Sequence, residues 1–149
     1  MKKSKIIFGL LLVAGVVLAG AWFYYKKIEK SKSERDNIIS VGKCDFAIET
    51  VSDEEQRKKG LSGRESLGPN CGMLFLFERE GSYSFWMKDM RFPIDIVWIK
   101  NDEIVDINQN IDYNSKSIYS SREKINKVLE LNSGDVSSCE IKIGDKLKK

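Results

Sequence analysis

The chain has 149 residues, with 25 Lys and Arg against 22 Asp and Glu, three cysteines and no histidine. That length holds about one domain. Without histidine, Ser-His-Asp and Cys-His catalysis and most zinc and haem sites are excluded.

Three lysines stand ahead of residue 6 and no acidic residue precedes Glu29, so the positive surplus belongs to the N-terminal end and the remainder is balanced. A balanced domain lacks the electrostatic footprint that nucleic-acid binding needs, and no nucleic acid is expected as a partner.

Residues 6–25, IIFGLLLVAGVVLAGAWFYY, carry no charge. About 20 apolar residues suffice to cross a bilayer as a helix. Lys2, Lys3 and Lys5 precede the run, Lys26 and Lys27 follow it, and Trp22, Tyr24 and Tyr25 end it as interfacial aromatics do. The pattern predicts one N-terminal transmembrane helix within residues 1–25, and a membrane as partner through residues 6–25. Ala19-Gly20-Ala21 also fits a signal-peptide cleavage site, but the apolar run continues past it, which favours a retained signal anchor. Five Lys or Arg within a few turns after the helix argue for a cytoplasmic domain, whereas a basic stretch before an apolar one is the export signal. The adopted reading is a single-pass cell-membrane protein whose domain is extracytoplasmic.

Residues 26–42 read as a polar linker and 43–149 as the globular domain. Cys44, Phe46 and Ile48 alternate with Asp45, Ala47 and Glu49, which predicts a half-buried strand. Ser52 and Glu55 form a capping-box pattern, Arg57, Lys58 and Lys59 close the segment, and Gly60 suits a left-handed end; these predict a short helix. Gly63, Gly68, Pro69 and Gly72 mark a loop. Met73–Phe77 is an apolar strand, followed by a turn at Glu78–Gly81. Ser82–Lys88 is a second, with Tyr83, Phe85 and Met87 on one face. Ile94–Ile99 is apolar on both faces apart from Asp95, as a central strand would be. Asn101-Asp102 turns the chain into a hairpin with Glu103–Ile107. Residues 110–126 read as loop, Lys127–Leu131 as a strand and Ile141–Leu147 as the last one. The predicted fold is α+β, mostly antiparallel, a curved sheet or partly open barrel with one short covering helix.

Cys44, Cys71 and Cys139 have no CxxC spacing, so thioredoxin-like chemistry is not expected. One disulfide with one thiol left over, or three unpaired thiols, both fit.

Five blocks stand in order: Gly60-Leu61-Ser62-Gly63-Arg64, Gly72–Phe77, Phe85-Trp86-Met87-Lys88-Asp89-Met90 with Pro93-Ile94-Asp95-Ile96, Val128–Asn132, and Gly144-Asp145. Together they resemble the domain-of-unknown-function family 192 over roughly residues 43–147. The resemblance implies a compact β-rich α+β domain, often preceded by a signal or anchor. That family has no agreed activity, so the resemblance implies fold more than function.

Two carboxylates carry the candidate chemistry. Asp95 lies inside an apolar strand, where it needs a partner, and Arg64 and Lys88 are the candidates. It is either a structural carboxylate or a polar group at the base of an aromatic pocket. Glu130 lies amid Val128, Leu129 and Leu131, and either faces solvent or converges with Asp95 into an acid–base pair. Gly72–Phe75 reads as core, with Gly72 marking a tight backbone approach or a positive φ. Asp106, Asn108, Asn110 and Asp112 mimic an EF-hand spacing. However, Ile111 stands where Gly is required and Ser117 where Glu is expected, so no metal is expected. No phosphate-cradling glycine loop is present, and no cofactor is expected.

The function expected first is a binding or accessory module for a small ligand or envelope component. The ligand would lie in an aromatic cleft at Trp86, with Arg64, Lys88, Asp95 and Glu130 as binding candidates. A hydrolase-like enzyme using Asp95 and Glu130 is the second reading, and a scaffold contacting another envelope protein the third. Whether Arg64, Trp86, Asp95 and Glu130 meet in one concavity discriminates among them.

Overall fold

The structure, a computed structural model, describes residues 21, 22, 24, 26 and 37–149. The chain divides into two units, Met1–Asp36 and Asn37–Lys149. In the first, residues 21, 22, 24 and 26 are helical, and Lys26 Nζ lies 4.7 Å over the Trp22 ring. Among the described residues no helix is long and apolar enough to cross a membrane. The expectation of an N-terminal transmembrane helix is corrected on that finding; most of residues 6–25 lies outside the described residues.

The second unit is built on strands β1 (Ile38–Val41), β2 (Cys44–Val51), β3 (Cys71–Gly81), β5 (Ile94–Lys100), β6 (Glu103–Ile111) and β8 (Ile125–Asn132). They form one sheet in the order β1-β2-β3-β8-β5-β6. A separate two-stranded ribbon pairs β4 (Ser84–Trp86) with β7 (Ile118–Ser120). Two short helices follow β2 and β8: α1 (Glu54–Lys59) and α2 (Asp135–Ser138). Every pairing in the main sheet is antiparallel except β2 with β3, so the sheet is mixed. Parallel neighbours need a crossover, and α1 with its following loop supplies it.

The sheet curls until its two edges approach one tail. Ser40 of β1 bridges Lys148, and Glu103 of β6 bridges Lys146. Ser40 and Lys148 exchange N–H···O bonds of 2.8 and 2.9 Å, while Leu147 N–H donates to the Asp102 carbonyl at 2.8 Å. Residues 144–148 thus lace β1 to β6. The segment expected as a last strand is this lacing, with isolated bridges in place of a ladder.

Residues paired directly across neighbouring strands share a face, and successive residues alternate. One face gathers Phe46, Ile48, Leu74, Val97, Ile104, Leu129 and Leu131 from β2, β3, β5, β6 and β8, with Val136 of α2 and Ile141 over them. This cluster also takes in Ile39 and Val41 of the β1 edge and Leu147 of the lacing segment, so it lies on the side that the curl encloses, the concave side. The convex side carries Met73, Phe75, Ile94, Ile96, Trp98 and Val128, covered by Leu61 and Met87 from the loops. Burial on both sides explains why β5 is apolar at nearly every position.

Cys44 at the start of β2 is bonded to Cys139 just past α2, with Cα atoms 5.5 Å apart, and Cys71 is the free thiol. Gly42 sits beside this bridge at φ +59, where a Cβ would lie 2.2 Å from the Cys139 carbonyl oxygen. No other residue fits that position.

Candidate functional site: a groove floored by Glu130

α1 begins at Asp53, whose carboxylate accepts from Gln56 N–H at 2.7 Å, and ends at Gly60 with φ +47. The cap is thus one residue beyond the Ser52 expected. The helix buries none of its own residues. Arg57 holds it down: its guanidinium donates to the carbonyls of Ser52 and Leu76 and lies 5.1 Å over the Phe77 ring. The loop after it is tied to the far wall, because Ser62 Oγ donates to the Lys88 carbonyl and Gly63 N–H to that of Asp89.

The β4–β7 ribbon packs over the convex face through Phe85. Its ring meets Phe75 edge-on at 4.9 Å and Trp98 edge-on at 5.6 Å. Tyr83 stacks on Phe77 at 3.6 Å. Between α1 and the ribbon lies a groove of about 720 Å³, walled by Phe75, Phe77, Tyr83, Phe85 and Trp86 and by Gly60–Ser62 and Lys88–Met90, with Glu130 among its lining residues.

Glu130 reaches the groove by register. Glu49, Met73, Glu130, Ile96 and Asn108 form one row across β2, β3, β8, β5 and β6, all on the convex face. Its side chain is 6% exposed, and Oε2 is buried with no hydrogen-bond partner. Burial pushes its pKa up to about 8, against a smaller opposing pull from the Arg64 charge. At neutral pH the carboxyl is therefore mostly protonated, and can both donate and accept a hydrogen bond.

Arg64 does not bond to it. Its two terminal nitrogens grip both oxygens of Glu49 at 2.8 Å. That bond is the main cause holding the Glu49 carboxyl below its ordinary value. Lys88 and Trp86 line the groove mouth, the Lys88 ammonium 5.9 Å from the indole and the indole 61% exposed.

Asp95 is elsewhere. It belongs to the adjacent row, Ile48, Gly72, Leu131 and Asp95, which faces the concave side. It is fully buried, and neither Arg64 nor Lys88 is its partner. Oδ1 accepts from Asn110 N–H at 2.7 Å, and Oδ2 from Gly134 and Val136 N–H at 3.0 Å. Gly134 offers α2 no side-chain cap, so Asp95 caps that helix from across the fold.

The structure therefore brings Trp86, Lys88 and Glu130 to one groove and leaves Arg64 beyond its lining and Asp95 behind the sheet. The hydrolase-like pairing of Asp95 with Glu130 is corrected: two carboxylates on opposite faces of a sheet cannot share a reacting atom. Sequence reasoning missed Phe75, Phe77, Tyr83 and Phe85 as groove walls. The alternation Met73, Phe75, Phe77 was the available signal, since Met73 is the cross-strand partner of Glu130.

Two solved structures are similar. A protein from Sinorhizobium meliloti 1021, described as a candidate transcription regulator, is 32% identical with a TM-score of 0.71; the match covers 74% of this chain and 91% of that one. A protein of unknown function from Novosphingobium aromaticivorans DSM 12444 is 27% identical with a TM-score of 0.70, covering 75% and 84%. No functionally curated protein matches. The expected signal anchor, single-pass topology, extracytoplasmic location and envelope partnership are withdrawn. Among the described residues no helix is long and apolar enough to cross a membrane, and of the two similar structures one is described as a regulator and the other as of unknown function. Residues 37–149 match the family profile of DUF192, described as an uncharacterized ACR, and the chain belongs to that family.

Proposed function

We propose that the groove is a receptor site for a small molecule with an apolar ring and a polar group that hydrogen-bonds to Glu130. The observation that carries this reading is the buried, unpartnered Glu130 Oε2 beneath aromatic walls. A buried polar atom left without a partner costs stability, and such costs concentrate where a ligand completes the set. The volume is in the range of small-molecule sites, and apolar walls with one polar group are their usual make-up.

Indole serves as the neutral probe. Titrated into the protein and followed by amide NMR, it is expected to shift Phe85, Trp86 and Glu130 together. Glu130→Leu should weaken it roughly tenfold, the worth of one hydrogen bond. Absence of localised shifts at millimolar indole defeats the proposal.

A further inference from the structure

We infer that the ligand of this groove is a ring-bearing anion, its carboxylate or other oxyanion held at the mouth by Lys59 and Lys88. The inference rests on the groove reading above and adds the charge class of the ligand.

Charge around the groove is uneven. Arg57, Lys58, Lys59 and Lys88 line it, against Glu54 and Asp89 at its walls and Glu130 at its floor. Lys58 is taken by Glu54 at 2.7 Å, and Arg57 by the Ser52 and Leu76 carbonyls. Among the described residues no carboxylate ion-pairs with Lys59 or Lys88, although Lys59 contributes to the field at Glu49. The two ammonium groups come from opposite walls, Lys59 from the end of α1 and Lys88 from beyond β4. The floor does not offset them, because the buried Glu130 carboxyl is largely neutral near pH 7. Among the described residues Asp89 is the one unpaired wall carboxylate against Lys59, Lys88 and Arg57, so the rim keeps a cationic surplus. A low-dielectric cleft with a surplus of one sign concentrates ligands of the opposite sign. Glu130 is also the second, independent pointer to a ligand: it is nine-tenths buried, unpartnered at Oε2 and part of the groove lining. The rival class is a ring-bearing amine that would ionise Glu130 and pair with it. To do so, that amine must pass both lysines.

Three probes share one ring and differ in charge: indole-3-acetate, indole and tryptamine. Each is titrated into the full chain at pH 7 and low salt by NMR or calorimetry. Indole-3-acetate is expected to bind about fivefold tighter than tryptamine, the scale of two exposed charge contacts, with the gap closing as salt rises. Lys59→Met with Lys88→Met should abolish the preference of indole-3-acetate over tryptamine. Tryptamine binding as tightly as indole-3-acetate, or tighter, overturns the inference. Equal binding of all three overturns the charge class and leaves the groove reading standing. Binding of none defeats the groove reading itself.

Discussion

Asp95 and Glu130 stand one register step apart on β5 and β8, and their side chains leave the sheet in opposite directions. Each consequently has its own electrostatic economy. Asp95 is surrounded by backbone donors, and Glu130 lies between Met73 and Ile96 in the lining of an aromatic-walled groove. Exchanging Asp95 for Asn turns one oxygen into a donor facing N–H groups. Asp95→Asn should lower stability by roughly 2–4 kcal/mol. Arg64→Met, at a partly exposed pair, should cost about 1 kcal/mol or less. Since the two residues share no partner, the double variant should be additive within about 0.5 kcal/mol. Thermal and urea unfolding measure all three; an unchanged melting temperature for Asp95→Asn refutes the helix-capping role.

Glu130 sets a pH slope. Its folded pKa of about 8 lies above its ordinary 4.5, so between those values the folded chain holds a proton that the unfolded chain has released. Stability from this group is complete below pH 4.5 and falls by about 1.4 kcal/mol per pH unit as the pH rises towards 8. Glu130→Gln cannot titrate. Its stability relative to the natural chain should rise across that window and level off above pH 8. Urea melts at pH 5, 7 and 9 test this, and a constant difference would show that Glu130 ionises normally.

Arg64 tempers that carboxyl from a distance. Arg64→Met should move the Glu130 titration midpoint above its present value and return Glu49 towards an ordinary carboxylate. Carbon-13 NMR of the side-chain carboxyls reads both midpoints in one titration. A Glu130 midpoint that stays put would remove Arg64 from its electrostatic surroundings.

The Cys44–Cys139 bridge closes a long loop, with 95 residues of sequence separation. Cys44→Ser with Cys139→Ser should cost about 2–5 kcal/mol. Cys71→Ser, at the free thiol, should cost about 1 kcal/mol or less. Denaturant midpoints with and without reductant distinguish them, and equal losses would mean the bridge does not restrain the fold.

The sequence was most legible where a signal is local. β5 announced itself by apolar residues on both faces, the β5–β6 hairpin by Asn101-Asp102, and α1 by its charged ends. Gly72 spoke for a close approach, and a Cβ there would come within 2.8 Å of Ile48 Cδ1. What stayed hidden depended on distant partners. α2 has no cap of its own, because Asp95 supplies one from β5. β1 looked like linker until β2 and Lys148 gave it neighbours. β3 continues through Glu78, Arg79 and Glu80, whose charges suggested a turn, because those residues stay exposed. The parallel pairing of β2 with β3 was also invisible. Register alone decides that Glu130 reaches the groove and Asp95 does not, and neither residue's own neighbours encode it.

The lacing of β1 to β6 by residues 144–148 has a kinetic side. Gly72 must find Leu131, and Ser40 must find Lys148, before the curl can close. Pairings so remote in sequence belong to chains that fold in milliseconds to seconds. Until the lacing is tied, β1 and β6 each present a row of unpaired N–H and C=O groups to any neighbouring chain. Refolding yield should therefore fall as protein concentration rises, while the folded protein, with part of each edge tied, tolerates the same concentrations.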